Sequence, residues 1–208
     1  MGCDIHPFIE RRLKNDGPWH VASNVSLPSL DGRNYNLFAM LADVRNGNEI
    51  EPIHELRGWP DDVDPEHREG IDVWGPDGHS QSWATVTELL AYAERMKDAL
   101  FEEHGVLSGP AYQALKAGVE PSSWCGRISG QKIITIDSES FDDMATKLVT
   151  KSENRWGQQE PTTYLGDFEV YVRATWPVAY ASILAPLVEE LKEVSDPDNV
   201  RVLYFFDN

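Results

Sequence analysis

Val200-Arg201-Val202-Leu203-Tyr204-Phe205-Phe206-Asp207-Asn208 closes the chain, and the fold follows from how this stretch is read. Residues 200–206 are β-branched and aromatic and read as a strand. A turn over residues 195–199 precedes it. Before the turn a helix is predicted from Pro177 to about residue 194, because proline is tolerated in a first turn; Pro186 is expected to kink it. Earlier still, residues 167–176 (DFEVYVRATW) alternate, with Phe168, Val170, Val172 and Ala174 on one face. Strand, helix, strand in that order predicts a βαβ unit with parallel strands and a right-handed crossover.

The opposite end opens MGCDIHPF. Residues 4–13 read as a strand with Ile5, Pro7, Ile9 and Arg11 on one face and Asp4, His6, Phe8 and Glu10 on the other. Pro7 suits an edge or a bulge. The turn at residues 15–18 leads to a second strand over residues 19–27, forming a hairpin. These readings predict one α+β domain over residues 1–208: a mixed β-sheet with helices packed on it and the C-terminal βαβ unit. If the last strand runs antiparallel beside the first, Asp207 arrives next to Asp4 and His6.

Between the ends, residues 34–42 suggest a short helix. Residues 43–80 show no period and hold Pro52, Pro60, Pro65 and Pro76. A loop of that length is usually functional, and it is expected to fold over the polar end of the sheet. Thr85-Val86-Thr87-Glu88 is a capping box. From it a stripe of Val86, Leu89, Leu90, Ala93, Met96 and Leu100 predicts a helix stopped by Gly105. Helices are also predicted at residues 110–117 and 140–149, the latter with Phe141, Met144, Ala145 and Leu148 inward. Residues 132–136 form a short β-rich run, and 151–163 a polar loop.

Composition bounds the function. The 208 residues are 41% apolar, with seven each of Trp, Tyr and Phe, enough for a substantial core. A net charge of −17 repels phosphate backbones and argues against direct nucleic-acid binding, while it suits a soluble surface or an acidic DNA mimic that engages a host protein. Two cysteines, Cys3 and Cys125, make no disulfide framework and fit a reducing cytoplasm. No apolar run of about 18 residues and no leader are evident, so no membrane association is expected. A myristoyl address needs Ser or Thr at the sixth position, where His6 stands.

Several constellations could carry chemistry. Asp4-x-His6 on a strand aims a carboxylate and an imidazole the same way, as metal ligands require; the plainer reading is a strand-end histidine bonded to a carbonyl. His79, Ser80, Ser82 and Trp83 precede the capped helix, where orphan N–H groups favour an anion; the plainer reading is a cap-region loop. Asp43 and Arg45, with Arg57 further along, could line a positive pocket, or each arginine could pair with neighbours such as Asp61 or Asp62. Asp62-x-Asp64-x-Glu66 echoes a calcium loop but lacks its glycine and final glutamate.

The opening M-G-C-D-I-H, Leu41-Ala42-Asp43-Val44-Arg45-Asn46, Arg57-Gly58-Trp59-Pro60-Asp61-Asp62, His79-Ser80 with Ser82-Trp83, and the closing F-D-N together resemble a family of uncharacterised proteins of tailed bacteriophages and prophages. The resemblance covers nearly the whole chain, most weakly over residues 105–165, and implies a phage accessory protein in the host cytoplasm. A partial echo of calcineurin-like phosphoesterases, in Asp4-x-His6 and Gly78-His79, lacks that family's remaining blocks.

The leading expectation is a polar pocket at a sheet rim. Asp4, His6, His79 and Asp207 would hold a divalent metal (Zn, Mn or Fe), with Asp43, Arg45 and His79 catalytic. Arg45, Arg57, Ser80, Ser82 and Trp83 would bind a small anionic ligand. The chemistry would be metal-dependent hydrolysis of a phosphoester or nucleotide. The alternatives are a non-catalytic nucleotide-binding sponge acting in anti-defence and an acidic DNA-mimic interaction protein.

Overall fold

The structure, a computed structural model, describes residues 2–155 and 158–207. Met1, Trp156, Gly157 and Asn208 lie outside the described residues, and with them the last residue of the closing motif and part of the expected 151–163 loop. In chain order the elements are β1 (Asp4–Arg11), β2 (His20–Val21), α1 (Tyr35–Ala42), α2 (Pro65–Asp72), β3 (His79–Thr85), α3 (Val86–Met96), β4 (Leu100–Ser108), α4 (Gly109–Lys116), β5 (Ile133–Asp137), α5 (Ser138–Asp143), β6 (Leu148–Arg155), β7 (Gln158–Leu165), β8 (Phe168–Ala179), α6 (Tyr180–Lys192) and β9 (Val200–Asp207). They form two compact units. One comprises the chain up to Phe101 and from Val178 onward, the other Glu102–Pro177.

The first unit is organised by β9. Its sheet has the order β2-β1-β9-β3, and β9 pairs antiparallel with β1 on one edge and β3 on the other. Paired residues of an antiparallel ladder point to the same side and successive residues alternate. The register Asp4↔Asp207 to Arg11↔Val200 therefore places Asp4, His6, Phe8 and Glu10 on one face with Asp207, Phe205, Leu203 and Arg201. Ile5 and Ile9 share the other face with Phe206, Tyr204 and Val202.

Helices cover this second face. Phe38 of α1 meets Phe206 edge-on at 5.1 Å, the Tyr204 hydroxyl donates to the Leu41 carbonyl, and α3 packs against both α6 and β9. The first face is covered by the long segment before β3: Val63 and Ile71 pack on Leu203, with Phe8, Trp59 and Trp83 around them. That segment folds over the sheet as expected, but it is not all loop. Asp64 accepts from the Glu66 N–H, Pro65 sits in the first turn, and α2 follows. The cap and proline were the signal for this helix; its polar sequence hid the period.

Several boundaries differ from expectation. The capping box of α3 forms with both bonds, but the helix ends at Met96. Leu100, expected on its stripe, starts β4, in which Phe101 and Glu103 are buried while Leu100 and Glu102 are exposed. The helix expected at 140–149 is the single short α5, with Phe141 alone of its predicted inward residues buried. The polar stretch after it is the β6–β7 hairpin. Pro177 extends β8 rather than opening α6.

The second sheet runs β4-β8-β7-β6, with β5 beside β8. Since β5 is parallel to β8 and β7 antiparallel to it, the mixed character resides here. The expected strand, helix, strand order ends the chain, giving the α+β class, but β8 and β9 lie in different sheets. Both edges of β9 are filled by antiparallel neighbours, so the expected parallel β8–β9 pairing has no edge to occupy.

One charged pair is buried within the first face. Glu10 and Arg201 are opposite in register and 0% and 2% exposed. Arg201 Nε donates to Glu10 Oε2 at 2.8 Å and Nη1 to Asp62 at 2.8 Å. The guanidinium lies 4.2 Å from the Trp19 ring centre and 5.6 Å from that of Trp83. Glu10 Oε1 accepts from the Asp64 N–H and lies 3.1 Å from His67 Nδ1. Removing one partner strands a buried charge at a cost of about 3–5 kcal/mol. Arg201→Met is expected to lose that much in urea unfolding at neutral pH, and adding Glu10→Gln to recover part of it. A double variant as unstable as the sum of the singles would refute the pairing.

Candidate functional site

The two chain ends meet at the rim where β1 begins and β9 finishes, as the antiparallel inference required. The Asp4 N–H donates to Asp207 Oδ1 at 3.1 Å. His6 stacks on Phe205 with ring centres 4.7 Å apart and lies 4.1 Å from the Trp74 ring. Its Nε2 is 3.4 Å from Asp207 Oδ2, within ion-pair range yet without a hydrogen bond.

His79 does not join them. It pairs with Phe206 and stacks with that ring at 6.3 Å, whereas His6 stacks on Phe205. Consecutive strand residues face opposite ways, so the two histidines lie on opposite sides of the sheet. A bulge sets this parity. Three steps along β3, from His79 to Ser82, span two steps of β9, from Phe206 to Tyr204. Ser80 takes up the slack at φ 53°, a left-handed conformation uncommon for a residue with a side chain. The Ser80 hydroxyl lies 2.9 Å from His79 Nδ1.

The other predicted residues are placed as follows. Asp4 is held by Arg33, whose Nη2 donates to Oδ2 at 2.7 Å while Nε donates to Oδ1; the hydrogen bonds from Arg33 keep its carboxyl below the usual range. Asp43 caps α1 in the left-handed region and accepts from the Asn46 side chain. Arg45 hydrogen-bonds the Cys3 thiol, but burial prevails and pushes that thiol up. Arg57 grips Glu88 through two bonds of 3.0 and 2.7 Å and lies over the Trp83 ring. Its backbone N–H donates to the Ser82 hydroxyl. Arg57, Ser82 and Trp83 are thus one bracing network with the capping box. Among the described residues no group of three or more His, Cys, Asp or Glu is arranged to hold a metal ion, and the four expected ligands do not converge.

The space that does open beside His6 is flanked by aromatic rings. A pocket of about 160 Å³ is lined by Trp59, Trp74, Phe205, Asp72 and Gln81, among others. The Phe205 ring lies buried beneath it. Trp59 and Trp74 each cross that ring with ring centres 5.8 Å away, at 71° and 63°. Gly78 permits this closeness, since a Cβ there would lie 3.0 Å from the Phe205 ring. Sequence reasoning passed over Arg33, Trp74 and Gln81; two tryptophans in a proline- and glycine-rich segment were the available signal.

No family model, curated protein or solved structure matches this chain.

The Arg57–Glu88 brace gives a pH signature. Burial raises the Glu88 carboxyl, but the hydrogen bonds from Arg57 and Thr85 outweigh it and carry the pKa from 4.5 down to about 2. A depressed carboxylate stabilises fully above its unfolded value and loses that contribution as pH falls through the folded one. Glu88→Gln should therefore cost roughly 1–2 kcal/mol at pH 7, discounted for partial exposure. The gap from wild type should shrink below pH 4.5 and close near 2. Urea melts across that range check it, and a pH-independent gap would contradict the brace.

Proposed function

We propose that this chain is a capture module: it binds a small organic ligand in the Trp59–Trp74–Phe205 pocket and releases it unchanged. The observation that carries this reading is the contrast at the rim. The polar residues suited to catalysis are tied into ion pairs or split between faces, while Trp59 and Trp74 stand partly exposed beside a pocket. Aromatic walls joined by a few placed polar groups are a usual make-up of a small-molecule site. Such a module belongs with the non-catalytic alternative drawn from the sequence, with a ligand set by its aromatic portion rather than by phosphate.

Metal-assisted hydrolysis is the second reading, favoured by one feature: His6 lies 3.4 Å from Asp207, a pairing that can orient an imidazole as a base. The two readings part in one experiment. The full chain is incubated with a panel of nucleosides, nucleotides and small organic cations, with Zn²⁺ or Mn²⁺ added. Tryptophan fluorescence reports binding and mass spectrometry reports turnover. Capture predicts a saturable change lost in Trp59→Ala and Trp74→Ala, with every compound recovered intact. A metal-dependent product that disappears in His6→Ala and survives Trp59→Ala would establish the hydrolase instead.

A further inference from the structure

The lining of the pocket selects a ligand class, an inference that rests on the capture reading. Asp72 is the charged side chain among its lining residues, and no Lys or Arg stands with it. A phosphate or carboxylate would find no lysine or arginine among these lining residues. Asp72 is also the last residue of α2, so the negative end of that helix dipole lies beside the same space. The Gln81 amide N–H₂ donates to the Gly78 carbonyl, so that donor is not offered to an anion, and the acceptors left in the lining suit a cation.

A primary ammonium carries three N–H donors, and burying them unsatisfied is costly. A quaternary ammonium carries none. It asks for polarisable ring surfaces and a nearby negative charge, and cation–π contact with tryptophan supplies the former. Trp59 and Trp74, both partly exposed, stand as two walls over the buried Phe205 ring, and Asp72 sits at the margin. The overall charge of −17 attracts cations from solution.

We propose that this pocket binds the trimethylammonium head of a small organic cation, held between Trp59 and Trp74 above the buried Phe205 ring and neutralised by Asp72.

The test titrates the full chain with choline and, separately, with its neutral carbon isostere 3,3-dimethylbutan-1-ol, at matched ionic strength, reading tryptophan fluorescence. Choline should bind saturably and the isostere about tenfold more weakly, the range cation–π contact supports. Trp74→Ala should lose about tenfold or more. Should that variant misfold, Asp72→Asn is the control: Asp72 is exposed, and its loss should weaken choline severalfold and leave the isostere unchanged. A peptide bearing trimethyllysine tests the other source of the same head group; tighter binding than choline assigns the pocket to a protein tail. If the isostere or adenosine binds as well as choline, the cation inference falls while capture stands. If choline gives no saturable response, the cation site is refuted, and the turnover experiment above decides the capture reading on its own.

Discussion

The first unit depends on a buried ion pair between Glu10 of β1 and Arg201 of β9, facing each other across the ladder with tryptophan rings over the guanidinium. Two charges in such a place are tolerated only when their remaining donors and acceptors are used. Here they are used by the long segment: Asp62 takes one guanidinium nitrogen, and the Asp64 N–H and His67 ring meet the carboxylate. The pair therefore clamps more than two strands. It fastens residues 62–67 over the sheet and with them α2, which ends at the aromatic pocket. A segment rich in proline and glycine gains a fixed position from polar contacts at one end and from Val63, Ile71 and Trp59 against the sheet.

Register then distributes the chemistry. Because β9 is central, each of its residues imposes a side on β1 and β3 alike. Phe205 anchors one rim with His6, Trp59 and Trp74, and Phe206 anchors the opposite side with His79 and Phe38. Alternation makes two separate neighbourhoods out of residues adjacent in sequence. The strand-end acids serve largely as fasteners: Asp207 holds the Asp4 backbone, and Arg33 holds the Asp4 side chain.

Much of this was legible from local rules. The Thr85–Glu88 cap and the strand read at residues 167–176 follow from cap chemistry and alternation, and each is present; the meeting of the chain ends was a conditional expectation on strand order, and the register meets the condition. What escaped was information held in pairing. Nothing local tells that β9 has both edges filled by antiparallel partners, so the parallel crossover was a sound expectation that failed. Leu100 fits a helical stripe and a strand equally well. Arg57 was offered as a ligand for anions, yet Glu88, thirty-one residues away, claims it. Trp74 lacked a period to betray its role, and its value comes from the ring of Phe205 beneath it.

The bulge at Ser80 has a consequence for how such a surface could change over evolutionary time. With regular pairing continued from Ser82, Ser80 would oppose Phe206 and His79 would oppose Asp207, on the side where His6 and Asp4 already stand. One surplus residue in a short strand thus keeps two imidazoles apart. Ironing it flat would put His79 on the same face as His6, with β9 between them, and with no substitution of any side chain. A single step of strand alignment thus decides on which side of the sheet the His79 imidazole stands.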